Sequence, residues 1–269
     1  MLRRTTACLG IIMLALTAAA AGPGATRLDL DAYELVDLTH PFNDETIYWP
    51  APPAEFRLER LAYGMTENGY FYAAHTLAAP EHGGTHLDAP IHFGAGKRTT
   101  AEIPLAQLIA PAIVIDVTDQ AATDRDYRLT AADVLQYEKR HGRIEPGTIV
   151  LLRTGWSRFW PDRKRYLGDD TPGDASNLHF PAFGEESARL LVEQRKVAVL
   201  GTDTASIDHG PSSTFAVHRV ASAGNVPALE NLTGLEALPA RGALLFALPM
   251  KIEGGSGGPL RAVALVPKK

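Results

Sequence analysis

Short runs of β-branched and aliphatic residues recur along this chain and constrain its fold more than any other feature. The run at residues 112–117 reads Ala-Ile-Val-Ile-Asp-Val, a pattern typical of a strand with both faces buried. Comparable runs predict strands at residues 34–38, 56–61, 70–77, 112–117, 148–153, 197–202, 243–249 and 261–266. The chain is therefore expected to build its core on a sheet.

Two helices are predicted between these strands. Thr130 can cap a helix over residues 131–141, with Asp133 in the capping-box position and Gly142 as the stop. A second helix is predicted over residues 185–195, where apolar side chains share one face. Strands that alternate with a few helices indicate a mixed α/β domain, and no linker divides the chain.

Charge and cysteine content narrow the function classes. The 269 residues carry 26 Lys and Arg against 31 Asp and Glu, a net charge of −5, whereas a nucleic-acid binder more often carries a basic excess. The single cysteine, Cys8, excludes a disulfide scaffold and a thiolate zinc finger within the folded body. Nine histidines remain, so any metal must be held by imidazole and carboxylate groups.

The first residues predict a secretory signal peptide. Two arginines precede an apolar run at residues 7–16, and small residues follow at 18–21. The run is shorter than the roughly 20 residues of a membrane span, which makes an uncleaved anchor the lesser alternative. We therefore expect residues 1–21 to be removed, by Sec or twin-arginine export. A folded domain over residues 22–269 would then lie in the bacterial periplasm without stable membrane insertion.

The segment at residues 81–93 concentrates metal-binding side chains. It reads Glu-His-Gly-Gly-Thr-His-Leu-Asp-Ala-Pro-Ile-His-Phe, so that His82, His86, Asp88 and His92 lie within eleven residues. Its glycines and proline argue against a helix. In an extended segment, His86 and Asp88 project from one face about 6.6 Å apart, which one ion can bridge. The glycines can fold His82 back, and the proline can turn His92 toward the site.

Two histidines and a carboxylate form an open metal site that leaves positions for water and substrate. The alternative is a hydrogen-bonded histidine cluster near a turn.

Farther along, residues 199–209 read as a buried strand that runs into a polar loop, where sites of α/β folds often lie. His218 and Glu230 follow, and alone this pair indicates little.

The string from His82 to Phe93 resembles the signature of the cyclase family of metal-dependent hydrolases, which includes bacterial kynurenine formamidase and isatin hydrolase. The likeness covers about residues 33–266, essentially the chain after the predicted leader. Further similar segments are Val36-Asp37-Leu38-Thr39-His40-Pro41, Gly155-Trp156, Gly201-x-Asp203-x-x-Ser206-x-Asp208, and Pro249 to Pro259 with its glycine-rich run.

The resemblance implies a ligand role for five of the matching positions. His82, His86 and Asp88 would bind a first divalent ion. Asp88 would bridge that ion to a second one, held also by His218 and Glu230. The resemblance implies zinc or manganese, with one or two ions per subunit.

The same resemblance implies that His92 is the catalytic proton shuttle in the hydrolysis of an amide by a metal-activated water. It also implies a single α/β domain with a central mixed, barrel-like β-sheet and flanking helices, of the swivelling β/β/α type. The protein would form a homodimer. Thr85, between two proposed ligands, can support them by a hydrogen bond or simply stabilise the turn.

The expected substrate is a small aromatic amide. The resemblance favours arylformamidase activity, from N-formyl-L-kynurenine to L-kynurenine and formate. The alternative is the ring-opening of isatin to isatinate or the hydrolysis of another cyclic amide or lactone. The candidate substrate contacts are Trp49, Phe71, Tyr72 and Ser256, with Trp156, Phe159 and Trp160 as an alternative wall.

Two rival classes remain. A non-catalytic periplasmic metal- or ligand-binding protein would have a saturated ligand shell and no need of His92. A serine hydrolase would use Ser157 or Ser256, which lie near glycines, but neither serine is expected to form the Gly-x-Ser-x-Gly elbow of such enzymes. For Ser256, a tight backbone loop is the simpler interpretation of the surrounding glycines.

Overall fold

The computed structural model describes residues 29–50 and 55–268. The predicted signal peptide and Cys8 lie outside the described residues. Among the described helices, none is long and apolar enough to cross a membrane.

The described residues contain twelve strands. They are β1 (Tyr33–Asp37), β2 (Arg57–Met65), β3 (Phe71–Ala78), β4 (His86–Asp88), β5 (Ile109–Asp116), β6 (Arg128–Leu129), β7 (Ile149–Arg153), β8 (Ala182–Phe183), β9 (Val199–Thr202), β10 (Ala228–Glu230), β11 (Arg241–Pro249) and β12 (Gly257–Pro267). Every predicted strand overlaps one of these.

The described helices are short. They are α1 (Leu105–Leu108), α2 (Thr118–Thr123), α3 (Ala131–His141), α4 (Arg163–Leu167), α5 (Glu185–Arg189) and α6 (Ala216–Ala223). A π-helical turn (Leu190–Gln194) continues α5. Single 3-10 turns are Leu30–Ala32, Pro90–His92, Thr100–Glu102, Trp156–Phe159 and Leu235–Ala237.

The main sheet closes on itself. Its strands follow the order β12-β11-β5-β7-β9-β10-β4, and β4 pairs again with β12, while β1 lies outside on β12. Strands β5, β7, β9 and β10 run parallel to one another, and the other pairings are antiparallel. Closure leaves few unpaired strand edges. The predicted α/β domain with a mixed, barrel-like sheet is thus confirmed.

Strands β7 and β9 of the closed sheet are buried on both faces, as their apolar runs predict, whereas β11 alternates between buried and more exposed residues. In β7, Ile149 and Leu151 point into the core inside the sheet, whereas Val150 and Leu152 pack outside it. The outer core includes Val134 of α3, Ala188 of α5 and apolar residues of the π turn. Because successive side chains of a strand point to opposite faces, such a strand needs apolar residues at every position.

The predicted α3 helix has the predicted boundaries. The Thr130 hydroxyl accepts from the backbone N–H of Asp133, and the Asp133 carboxylate accepts from the N–H of Thr130. Gly142 ends the helix with a φ of 87°. The predicted helix over 185–195 begins at Glu185, but its second half is the π turn.

Strands β2 and β3 form a separate two-stranded sheet that the closed sheet does not include. No residue of these two strands is buried, although many are apolar. Leu61 is 66% exposed and Met65 is 69% exposed. A two-stranded ribbon with so much apolar surface in water is at best marginally stable alone.

Candidate metal centre

Two glycines and a proline shape the histidine-rich segment. Gly83 has a φ of 145° and Gly84 a φ of 57°, conformations that side chains rarely adopt. A Cβ at position 83 would overlap the ring of Tyr48. β4 follows these glycines, and Pro90 begins the 3-10 turn that carries His92. The predicted bends on both sides of β4 are present.

Strand pairing brings distant side chains to this segment. β10 lies antiparallel to β4, with Glu230 opposite His86. His218 lies on α6, and β12 borders β4 on its other edge. The centre therefore forms where β4, β10 and α6 meet, which local sequence pattern alone does not reveal.

The five proposed ligands converge within contact distance. Asp88 Oδ1 lies 2.6 Å from His82 Nδ1 and 3.1 Å from His86 Nε2, while Asp88 Oδ2 lies 3.1 Å from His218 Nε2. Glu230 lies 3.5 Å from His86 Nε2 and 3.2 Å from His218 Nε2. All except His82 are buried. Asp88 thus lies between the groups expected to hold each of two ions.

The donor set fits a divalent cation. His86 Nδ1 lies 3.0 Å from the carbonyl oxygen of Gly84, and His218 Nδ1 lies 2.8 Å from Asp208 Oδ2. With Nδ1 donating to these acceptors, each ring directs Nε2 at the carboxylates of Asp88 and Glu230. Acceptors that face acceptors in a buried site need a proton or a cation between them.

The raised pKa values of His86 and His218 show that this site favours positive charge. Burial lowers the pKa of His86, but the charge and hydrogen bond of Asp88 outweigh it and raise that pKa to about 9. Burial also opposes protonation of His218, yet hydrogen bonds to Asp208 and Asp88 raise its pKa well above the ordinary value. A divalent ion can replace these protons, because ligands bind metals in their deprotonated form.

His92 stands beside this cluster and differs from its neighbours. Its ring stacks on that of His82 with centroids 3.8 Å apart, and it can approach a metal together with His82 and Asp88. The ring opens to the cavity, but desolvation by the surrounding protein lowers its pKa to about 4. His92 is therefore neutral at pH 7 and able to accept a proton.

A cavity of about 340 Å³ opens onto the cluster. Its aromatic walls are Tyr48, Trp49, Phe93 and Phe215. Phe93 lies 5.1 Å from Phe215 between ring centroids, and Trp49 lies 6.2 Å from Phe215. Of the predicted aromatic contacts, the structure places Trp49 in the cavity wall.

The other predicted aromatic contacts lie elsewhere. Phe71 and Tyr72 are exposed on β3 and do not line this cavity, because their strand belongs to the separate ribbon. The alternative wall of Trp156, Phe159 and Trp160 instead packs in a small core with Tyr166 and Phe180. These three are core aromatics of the fold.

Ser256 is not among the residues that line the cavity. Its Oγ lies 2.6 Å from Glu81 Oε2 and 2.9 Å from His82 Nε2. Its surroundings match the Gly-x-Ser-x-Gly spacing, and Ser256, His82 and Asp88 stand in the order of a catalytic triad. However, the serine lies in the loop before β12 and not at a strand-to-helix elbow, and its hydroxyl faces Glu81.

The roles of Asn231 and Asp208 are not predicted from the sequence, although Asp208 belongs to one of the motifs that resemble the family. Asp208 accepts from the backbone N–H groups of Val217 and His218 as well as from the His218 ring. Asn231 has a φ of 55° and donates from Nδ2 to the same Gly84 carbonyl that holds His86. No local pattern marks Asn231, because its partners are remote in sequence.

Thr85 joins these elements below the cluster. Its hydroxyl donates to the carbonyl of Asn231 at 2.7 Å and accepts from the backbone N–H of His40 at 2.9 Å. Thr85 therefore ties the segment before β4 to the segment after β10.

Comparisons with known proteins agree with the geometry. The family model described as "Putative cyclase" matches residues 36–209. The isatin hydrolase of Roseibium aggregatum is 33% identical, over 93% of this chain and 98% of that protein. The kynurenine formamidase of Sphingopyxis alaskensis is 29% identical, over 84% of this chain and 95% of that protein.

Among solved structures, isatin hydrolase A from Ralstonia solanacearum superposes with a TM-score of 0.82 at 31% identity, over 91% of this chain and all of that one. The family expected from the motifs is confirmed. With its closed mixed sheet and the histidine and carboxylate cluster at β4, this chain belongs to the Putative cyclase family, whose named relatives are hydrolases.

Proposed function

We propose that this protein is a metal-dependent hydrolase that opens a compact, uncharged cyclic aromatic amide of the isatin type. The observation that carries the proposal is the cavity beside the histidine cluster. Its walls are aromatic and apolar, and its volume suits a small ligand. The likeness to isatin hydrolases over nearly the whole chain supports the same choice.

N-formyl-L-kynurenine, which the family resemblance favours, becomes the second candidate. That substrate carries an amino-acid carboxylate, which needs a cationic partner when it is buried. The described residues that line the cavity include no Lys or Arg, and their charged groups all belong to the proposed metal centre. Isatin is flat and uncharged and makes no such demand.

We propose that His82, His86, Asp88, His218 and Glu230 hold one or two divalent ions. When bound, such an ion lowers the pKa of water toward about 7 and polarises a carbonyl oxygen. The paired carboxylates offset the positive charge, and Gly84 and Asp208 orient the His86 and His218 rings.

His92 is the proposed proton carrier. Neutral at pH 7, it accepts a proton as the water oxygen adds to the amide carbon. It then delivers that proton to the ring nitrogen as the C–N bond breaks, which leaves an amine and a carboxylic acid that releases its own proton to water at pH 7. Trp49, Phe93 and Phe215 hold the aromatic ring and exclude bulk water.

The test is hydrolysis of isatin and N-formyl-L-kynurenine before and after chelation. We expect isatin turnover that chelation abolishes and that zinc or manganese restores. Activity that survives metal removal contradicts the metal-dependent mechanism and favours a serine hydrolase. A protein that binds metal but hydrolyses neither compound contradicts the proposed substrate class, and a binding-only protein is then the better account.

We also propose the homodimer that the family resemblance implies, with contacts on the β2–β3 ribbon. The exposed apolar side chains of Leu61 and Met65 would be covered by a second copy. Phe71 and Tyr72 would then contact the partner instead of their own cavity. Light scattering should give twice the chain mass and a monomer for Leu61→Glu; a monomeric wild type contradicts the proposal.

Export remains part of the proposed function. The charge and apolar pattern of residues 1–21 support a cleaved leader. We expect protein from the periplasmic fraction to begin near residue 22 when its amino terminus is sequenced. A full-length amino terminus or a cytoplasmic location contradicts the assignment.

A further inference from the structure

The glycine-rich loop before β12 approaches the metal centre more closely than residues with side chains would allow. A Cβ at position 255 would lie 2.7 Å from Glu81 Oε1. A Cβ at position 257 would lie 2.6 Å from His82 Cε1 and 2.7 Å from the carbonyl oxygen of Leu87. The glycines on both sides of Ser256 therefore let the loop backbone contact Glu81 and His82 directly.

Hydrogen bonds fix this loop in place. Thr100 donates from its backbone N–H to the Gly255 carbonyl at 2.9 Å, and its hydroxyl lies 3.0 Å from the same oxygen. Ala89 donates its N–H to the Ser256 carbonyl at 2.8 Å. The position of Ser256 relative to the β4 segment is thus determined by backbone contacts on both sides.

The hydroxyl of Ser256 has a determined direction. Glu81 Oε2 accepts from the backbone N–H of Ser256 at 3.0 Å and from its Oγ at 2.6 Å. An ionised carboxylate only accepts, so the single hydroxyl proton points to Glu81. Ser256 Oγ must then accept from His82 Nε2, which lies 2.9 Å away. The proton of a neutral His82 ring is therefore on Nε2.

We propose that Glu81, acting through Ser256, is a positioning residue that fixes the tautomer of His82 and keeps Nδ1 free for a divalent cation. Nδ1 lies 2.6 Å from Asp88 Oδ1, on the side of the ring that faces the cluster, so a proton or a cation must lie between these two acceptors, and a bound divalent cation would replace the proton. The opposite tautomer would place the lone pair of Nε2 against those of Ser256 Oγ. This inference rests on the proposed metal centre and adds two residues that do not line the cavity.

The decisive variant is Glu81→Ala. Without the carboxylate, the Ser256 hydroxyl can rotate and donate to His82 Nε2, so the proton can move to Nδ1. Loss of such an outer hydrogen bond typically weakens metal affinity by about 10–100-fold. Glu81→Gln keeps an acceptor oxygen and should retain most of the affinity. Glu253→Ala, on an exposed residue of the same loop, is the matched control.

Two measurements on the full chain test the inference. Nitrogen-15 NMR of the zinc-loaded protein should show His82 with its proton on Nε2, and chelator competition should give the zinc affinity. We expect E253A to bind zinc as tightly as the wild type and E81Q to bind it nearly as tightly. E81A and S256A should both bind zinc much more weakly. Should S256A fail to fold, the E81A and E81Q pair carries the comparison.

Three outcomes overturn the inference. A wild-type His82 with its proton on Nδ1 contradicts the tautomer. Equal zinc affinity in E81A and wild type shows that Glu81 does not position the ring, while the proposed hydrolase stands if the wild type still turns over isatin. A wild type that binds no zinc or manganese removes the metal centre itself, and the inference with it.

Discussion

Replacement of Asp208 by Asn should weaken both the fold and the metal centre. Asp208 is buried, and its two oxygens accept from His218 Nδ1 at 2.8 Å and from the backbone N–H groups of His218 and Val217 at 3.0 Å each. Burial alone would raise the pKa of Asp208, yet the hydrogen bonds from His218 hold it below the ordinary value. The native group is therefore a carboxylate.

The expected loss of stability follows from the hydrogen bonds that Asp208 accepts. An Asn amide keeps one acceptor oxygen, so at least one N–H would face an NH₂ group. Loss of a hydrogen bond to a charged group costs about 1.5–3 kcal/mol. Loss of the negative charge at the start of α6 adds about 0.3–1 kcal/mol. A total of about 2–4 kcal/mol corresponds to a Tm lower by roughly 5–15 °C for a chain of this size.

The metal centre should respond as well, because the Asp208 carboxylate orients the His218 ring. We expect zinc affinity to fall by about 10–100-fold, measured by chelator competition. Asp126→Asn is the matched control, since the half-buried Asp126 holds Nδ1 of the exposed His179 at 2.7 Å. Exposed ion pairs contribute at most about 1 kcal/mol, so this control should barely change Tm and leave zinc affinity intact. If D208N behaves like the control, the reasoning is refuted.

Three further perturbations have defined outcomes. Gly83→Ala should abolish metal binding or folding, because the new Cβ overlaps the Tyr48 ring, and zinc titration with circular dichroism checks it. His92→Ala should bind zinc as the wild type does yet lose about 10²–10⁴-fold in turnover, the usual range for a proton carrier, and full activity would remove His92 from the mechanism. Glu138→Ala should cost about 3–5 kcal/mol in urea unfolding, because it leaves the buried guanidinium of Arg195 without its 2.7 Å partner. The Arg195 hydrogen bonds hold the pKa of Glu138 below its ordinary value. The stabilisation by this pair is therefore present above pH ~4.3 and is lost as pH falls through the lowered pKa. The free energy of unfolding of the variant should then depend less on pH in acid than that of the wild type.

Much of this fold could be predicted from local pattern. The capping box of α3 is encoded by residues three positions apart, and the two buried faces of β7 require its apolar sequence. The bend at Gly83 and Gly84 follows from their conformational freedom. In each case the residues that specify the structure are neighbours along the chain.

The remainder depends on contacts that no local pattern contains. Asn231 looks like an ordinary loop residue, and the contact of Ser256 with His82 and Glu81 is not evident, until β4, β10 and β12 pair. Asp203 belongs to a matching motif, yet it is buried away from the cavity and accepts from the backbone of Gly155 and Trp156. Its role is to hold that loop, which motif comparison alone does not distinguish from a role in the centre.

The position of β12 has a consequence for how the protein folds. This strand pairs with β1, β11 and β4, and its contact with Asp88 joins segments separated by most of the chain. Such distant pairings form slowly, because a large loop must close, with a loss of conformational entropy, before the strands can form their hydrogen bonds. Until β12 arrives, the sheet has open edges that can aggregate, and Ser256 cannot contact His82. We therefore expect the proposed metal centre to bind an ion tightly only late in folding, so that supplied metal slows unfolding more than it accelerates folding.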